Sequence, residues 1–198
     1  MGVAIRAAGD GDRELVIRLL DDAFQDDPVS SWLFPEADYR RRTHPRLMEV
    51  FTDIVLAEGR VHLTEDGSAC ALWLSVPAGE HTDEDGPVLL RQAVDPANER
   101  VELIGRLTAE IHPADRAHEY LWMIGVAPGR QGEGLGSALL AHVLDRCDRD
   151  GVPAYLEASN ARSRALYTRL GFTTLTERVL DLPGGGPRMW PMWREPRG

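Results

Sequence analysis

The chain has 198 residues, 43% hydrophobic and 27% charged, with a formal net charge of −10 and a pI near 5.0. That length suits one domain with its own core, and the acidic balance argues against a nucleic-acid partner, whose phosphates demand a basic face. Cys70 and Cys147 lack metal-ligand spacing, the first twelve residues lack an apolar leader core, and no apolar run nears the ~18 residues that span a bilayer; the expectation is a soluble cytoplasmic protein with reduced thiols, no metal and no membrane partner.

Residues 3–7 read as a short strand, stopped by Gly9, Asp10 and Gly11. Asp12 then stands where a helix cap belongs, ahead of Leu15, Ile17, Leu19, Leu20, Ala23 and Phe24 at helical spacing. Residues 26–35 are rich in turn formers and predict a loop, although they carry Trp32, Leu33 and Phe34. A second helix is predicted over 38–56, with Leu47, Val50, Phe51, Ile54 and Val55 on its apolar side. Strands over 60–65 and 68–76 flank Asp66-Gly67, a dipeptide suited to a tight hairpin. Residues 77–87 read as an acidic loop, and 88–110 as helix interrupted at Pro96. Residues 118–126 predict an apolar and aromatic strand ended by Ala127-Pro128-Gly129. Leu135, Leu139, Val143 and Cys147 mark one face of a helix that ends near Gly151. A strand over 154–158, a helix over 160–170 closed by Gly171, and strands over 172–180 and 188–194 complete the chain. The order predicts a single α/β domain over residues 1–198 with a mixed sheet.

The most informative segment is 126–137, Val-Ala-Pro-Gly-Arg-Gln-Gly-Glu-Gly-Leu-Gly-Ser, which joins a predicted strand to a predicted helix. Gly132, Gly134 and Gly136 alternate, so backbone can approach a ligand closely. The first amides of the helix have no intrahelical acceptor and sit at its positive end, a seat for a pyrophosphate. A P-loop would end in Gly-Lys-Ser/Thr, and this loop has no lysine. A dinucleotide fingerprint would place its third glycine at Ser137.

Gln131-Gly132-Glu133-Gly134-Leu135-Gly136 fits the Q/R-x-x-G-x-G/A signature of the GNAT acetyltransferases, and residues 157–172 resemble that family's second motif, E-x-x-N…Y-x-x-x-G-F, through Glu157, Asn160, Tyr167, Gly171 and Phe172. A thinner likeness, carried by residues 151–157 and 167–172 and the glycine-proline turn before Arg188-Met189-Trp190, is to the puromycin N-acetyltransferase branch. The resemblance implies a GNAT-like α/β fold: a mixed, mostly antiparallel sheet flanked by helices and splayed at its central strands. It implies acetyl-CoA as cosubstrate and transfer of its acetyl group to a primary amine of a small molecule by direct attack on the thioester. Protein lysine or N-terminal acetylation, or a CoA-binding module without turnover, stand as alternatives. A homodimer is common in the family.

By the same resemblance Ile124, Gly125 and Val126 line the pantetheine arm, and the Val126 amide is the oxyanion donor. Arg130, Gln131, Gly132, Glu133, Gly134, Leu135, Gly136 and Ser137 surround the pyrophosphate, with the Glu133 carboxylate turned outward, and Asn160 bonds the cofactor. Tyr167 matches the general acid that protonates the departing thiolate. Many relatives carry a basic glutamate six residues before Val126; here Tyr120 stands there. Strict alternation would put Tyr120, Trp122 and Ile124 on one face and Glu119 on the other, which leaves Glu157 as the preferred carboxylate. His112 and His118 are weaker candidates, expected to be exposed. The acceptor site is expected to use Asp27, Trp32, Phe34, Tyr120 and Trp122, with Trp73 and Trp190 as further aromatic candidates. Asp26, Glu36 and Asp38 stand nearby in sequence to attract an ammonium.

Overall fold

The computed structural model describes residues 2–79 and 85–198. Strand β1 (Ile5–Ala7) leads into α1 (Arg13–Phe24), α2 (Pro28–Leu33) and α3 (Ala37–Glu58). The hairpin β2 (Arg60–Thr64) and β3 (Ala69–Val76) follows, then α4 (Gly86–Val94) and α5 (Glu99–Ile111). Next come β4 (His118–Val126), α6 (Leu135–Asp150), β5 (Ala154–Ala158) and α7 (Ala161–Arg169). The last strands are β6 (Thr173–Thr174), β7 (Leu180–Asp181) and β8 (Arg188–Arg194).

Two predicted elements differ from the structure. Residues 26–35 are not all loop: the Asp27 side chain accepts from the Val29 amide and Pro28 occupies the first helical position, which together start the six-residue α2. The strand predicted over 172–180 breaks into β6 and β7, with a 3-10 turn at Thr176–Arg178 between them, and both pieces pair with β8. The predicted loop over 77–87 falls partly outside the described residues.

The strands form one sheet in the order β1-β2-β3-β4-β5-β8-β6, with β7 on the side of β8. β4 and β5 are parallel, and the other pairs are antiparallel. The apolar core divides between the two faces. Val16, Leu20, Phe34, Met48, Leu63 and Leu72 fill the face under α1, α2 and α3; Trp73, Leu139, Leu140, Val143, Leu156 and Phe172 fill the face under α6 and α7. Cys70 and Cys147 are free and buried, and burial lifts both thiols, to about 12 and about 11. No helix among the described residues is long and apolar enough to cross a membrane, and no cluster of three or more metal-ligating side chains occurs among them.

Two irregularities at the centre of the sheet shape what lies there. Leu72 opposes Met123 while Trp73 opposes Leu121, so Trp122 is an extra residue, a bulge in β4. The bulge reverses the alternation. Trp122 and Met123 both join the α1–α3 face, whereas Ile124 and Val126 pack on the α6 face with Leu121. The expected common face for Tyr120, Trp122 and Ile124 is therefore corrected at Ile124. The second irregularity is a gap: β4 pairs with β5 only at Glu119–Leu121, then runs on to Val126 without a partner on that side.

Candidate active site

A cleft of about 570 Å³ opens where β4 and β5 separate, a size that suits small ligands. Its floor is backbone. Ala127 donates its amide to the Ser68 carbonyl on the β3 side, and strand polar groups alternate in direction. The Val126 and Ile124 amides and carbonyls thus point the other way, into the gap that β5 has left. This is the orientation expected of them for strand-like pairing with an extended ligand.

At one end the cleft is lined by Arg130, Gln131, Gly132, Gly134, Leu135, Gly136 and Ser137. Gly132 and Gly134 hold φ of 92° and 83°, and nothing stands within 4 Å of where their Cβ atoms would be. Gly134 is the N-cap of α6, and its left-handed backbone turns the chain so that the first helical amides face the opening. Arg130 lines this end but is held by Glu133 at 2.8 Å and Asp66 at 3.3 Å, which raise its pKa further. Glu133 itself does not line the cleft, so its carboxylate turns outward as expected. Gly125 does not line it either, a correction: a Cβ there would press on Leu19, Leu20 and Ala23 of α1. Arg162 and Arg169 line the same end and form no salt bridge among the described residues. Sequence reading missed both, because two arginines on a short polar helix carry no motif.

The other end is apolar, lined by Leu47, Met48 and Phe51 of α3, Leu90 of α4, Ile104 of α5, and Trp122, whose ring packs tilted against Phe51 with centroids 4.5 Å apart. Asp27 and Glu157 are the carboxylates on the wall among the described residues. Trp32 and Phe34 do not line it, contrary to expectation. Both are buried core residues, Trp32 in α2 and Phe34 at its C-cap, with the Trp32 indole donating to the Pro183 carbonyl and the Phe34 ring edge-on to Tyr39 and His44. Trp73 is wholly buried beneath α6 and Trp190 lies under Arg164, so neither is an acceptor contact. Asp26, Glu36 and Asp38 are exposed and away from the wall.

Asp27 reaches the wall with its oxygens engaged. Oδ1 caps α2, while Oδ2 accepts from the Ser159 hydroxyl at 2.7 Å and the Asn160 amide at 3.2 Å. Asn160 in turn caps α7 through the Ser163 amide. The carboxylate therefore fastens α2 to the β5–α7 junction and is not a free anchor for an ammonium. α2 is further tied by the Ser30 hydroxyl, 3.0 Å from His44 Nε2, whose Nδ1 lies 2.6 Å from Asp21. Ser30 and His44 are buried, so this chain clamps α1, α2 and α3 together. Replacing Asp27 by alanine should remove a cap and two buried bonds, at a cost of about 2 kcal/mol. Thermal melting should then fall by roughly 4–8 °C; an unmoved Tm would show that the tie carries no weight.

Glu157 lies where the strands part, its side chain 5% exposed. Oε2 accepts from the Tyr120 hydroxyl at 2.7 Å, while Oε1 and the Tyr155 hydroxyl have no hydrogen-bond partner among the described residues. Burial pushes its ionisation up from 4.5 to about 7, against the pull of the Tyr120 hydroxyl toward the charged form. Tyr120 thus holds a base-like carboxylate rather than replacing one. Glu119, by contrast, is engaged on the opposite face by Arg60, Arg146 and Ser75. Tyr167 lines the cleft from α7 with 6% exposure, edge-on to Phe172. Burial, with the Asp27 charge nearby, raises its phenol above 10 and keeps it protonated. His118 is buried and His112 half-buried, so the expectation of exposed imidazoles is corrected.

Residues 63–172 match the model of the Acetyltransferase (GNAT) family. The chain is 28% identical over 169 residues to an N-acetyltransferase of Schizosaccharomyces pombe, covering 77% of this chain and 67% of that one. It is 35% identical over 126 residues to the mycothiol acetyltransferase of Streptomyces coelicolor, covering 54% of this chain but only 40% of that protein's length. The crystal structure of histone acetyltransferase HPA2 and related acetyltransferase from Corynebacterium glutamicum superposes with a TM-score of 0.76 at 25% identity, over 100% of this chain and 98% of that one. The chain belongs to the GNAT family, the acetyl-CoA-dependent N-acetyltransferases.

Proposed function

We propose that this protein acetylates the primary amine of a small molecule with an apolar, aromatic-sized body, by direct attack of the amine on the acetyl thioester. The observation that carries the reading is the place of Glu157: a buried carboxyl, ionising near neutrality, at the inner end of an apolar pocket that opens onto the glycine loop. Acetyl-CoA supplies an activated carbonyl and a thiolate leaving group. The amides of residues 132–137 receive its pyrophosphate, with Arg162 and Arg169 adding charge. The Ile124 and Val126 backbone pairs with its pantetheine arm, and the Val126 amide offers a donor for the carbonyl oxygen. Glu157 takes the ammonium proton and Tyr167 gives one to the sulfur. The apolar wall of Phe51, Trp122, Met48 and Leu90 receives the acceptor's body.

Thiol release from acetyl-CoA across an amine panel tests this. The panel holds phenethylamine, a puromycin-like aminonucleoside for the branch likeness, desacetylmycothiol for the mycothiol relatives, and a lysine peptide. The apolar aromatic amines should turn over best. Turnover of the peptide alone would make the chain a protein acetyltransferase, and tight CoA binding without turnover would make it a binding module.

The glycine loop gives a second test. Alanine at Gly134 must adopt φ near 83°, at a cost of about 1–2 kcal/mol for an L-residue, or the loop must move and misplace its amides. Gly134→Ala should weaken CoA binding about tenfold by calorimetry. Unchanged affinity would remove the loop from the cofactor site.

A further inference from the structure

Glu157 lines the cleft, yet only 5% of its side chain is exposed. Its Oε1 is sealed from solvent and faces His112, the C-cap residue of α5, whose Nδ1 stands 3.9 Å away, beyond hydrogen-bond reach. Its Oε2 is engaged by the Tyr120 hydroxyl at 2.7 Å. Tyr120 is half-buried and lines the cleft beside it, so the tyrosine is the more open member of the pair. The strands explain the arrangement. Tyr120 opposes Tyr155, and Leu121 opposes Leu156 in the last pairing before β4 and β5 separate. Glu157 is the next residue of β5, and the phenol reaches it diagonally across the mouth of the gap. The Tyr120 ring is held there, edge-on to His112 at 4.7 Å and tilted on Tyr155 at 5.6 Å. Its one hydrogen is committed to Glu157, so the phenol oxygen can offer the cleft only lone pairs. A lone pair is what an ammonium needs.

We propose that Tyr120 is a catalytic residue: its hydroxyl oxygen takes the acceptor's proton while its own hydrogen passes to Glu157. The proposal rests on the reading of Glu157 as the base. One N–H bond of the ammonium breaks as an O–H bond to Tyr120 forms. The former O–H bond of Tyr120 breaks as a bond to Glu157 Oε2 forms. The amine is left with its lone pair, Tyr120 is a neutral phenol before and after, and Glu157 ends as the neutral acid. The two transfers move together, because burial and the Glu157 charge raise the phenol well above 10 and disfavour a free phenolate. Once the product has left, the same path runs backward to water in the cleft, so the proton leaves by the way it came. The other groups facing the pair are Tyr155 from β5, His112 at the end of α5, and Arg178 from the turn before β7. None of them competes for the step. Tyr155 and His112 do not line the cleft, and burial lowers His112 to about 4. The Arg178 guanidinium donates to the Ile111 carbonyl and has no lone pair to offer.

The test compares the full-length wild type with Tyr120→Phe and Glu157→Gln, using phenethylamine and acetyl-CoA, with kcat/KM followed across the acid limb and Tm recorded for each. Phenylalanine keeps the ring but can neither take nor give a proton. Tyr120→Phe should therefore lower the plateau above the limb by about tenfold or more. The limb itself should move to higher pH, because the carboxylate has lost a donor. A tyrosine that merely held Glu157 in place would give the shifted limb alone. A plateau that recovers the wild-type rate at high pH, with Glu157→Gln inactive, would overturn the proposal and leave the base reading intact. Full activity in Glu157→Gln would overturn both. An independent readout leaves Tyr120 in place. In Tyr167→Phe, which removes the proton given to sulfur, single-turnover rates in mixtures of H2O and D2O should bow below a straight line, as two protons move together. A linear dependence, or none, would overturn the paired transfer.

Discussion

Glu157→Gln should lower kcat by about 10²- to 10⁴-fold with little change in the acetyl-CoA KM. An amine in water is mostly its ammonium, which has no lone pair to attack a carbonyl, so removal of its proton limits the reaction. A group that removes it must be ionised, close, and of pKa near the working pH. Glu157 ionises at about 7, and the other carboxylate on the wall, Asp27, has both oxygens engaged. kcat/KM should therefore rise with pH through about 7 in the wild type and lose that limb in the glutamine variant. The same burial predicts an opposite effect on stability. A carboxyl raised from 4.5 to about 7 by folding contributes fully below its unfolded value and loses that contribution as pH rises through the folded one. The cost of holding the carboxylate at pH 8 is of order 3 kcal/mol. Glu157→Gln should thus be almost inactive yet melt higher than wild type at pH 8, with the gap closing toward pH 5. A variant that loses both activity and stability at pH 8 would mark Glu157 as a structural ion and not a base.

The elements flanking the cleft were legible where the chain punctuates itself. β4 begins and ends as predicted because its apolar run stops at Ala127-Pro128-Gly129, and β5 does so because Ala158 gives way to a polar cap. The glycine loop was legible because a strand, three alternating glycines and a helix with periodic leucines coincide. The bulge at Trp122 was not. Leu121, Trp122 and Met123 are all large and apolar, so no polar residue betrays which one is doubled, and strict alternation carries Ile124 to the wrong face. Trp32 and Phe34 misled for a related reason. An aromatic pair in a turn-rich stretch looks like a binding lip, but α2 is too short for periodicity to reveal, and it rotates both rings into the core. That His112 and His118 meet was not legible, because they stand on either side of five residues of loop and only the tertiary fold brings their Nε2 atoms to 3.0 Å.

Tyr167→Phe should cost about 10²-fold in kcat, and the defect should depend on the donor's leaving group. The ring fills a buried site against Phe172, which phenylalanine can occupy, so Tm and CoA affinity should hold. What is lost is one hydroxyl, kept protonated by burial beside Asp27. If its role is to protonate the departing sulfur, a donor whose thiol is more acidic has less need of it. An acetyl thioester of an arylthiol small enough to enter the cleft should then react with the phenylalanine variant nearly as fast as with wild type, while acetyl-CoA does not. The acid limb near pH 7 should persist in both proteins, because it belongs to Glu157. A defect equally large with both donors would assign Tyr167 to orienting the acetyl group instead. Base and acid are thus separable by experiment: in the proposed mechanism the amine's proton goes to Glu157 on the α5 side of the sheet, and the sulfur's comes from Tyr167 on the α7 side. The gap between β4 and β5 is what allows the two groups to address one ligand from opposite faces.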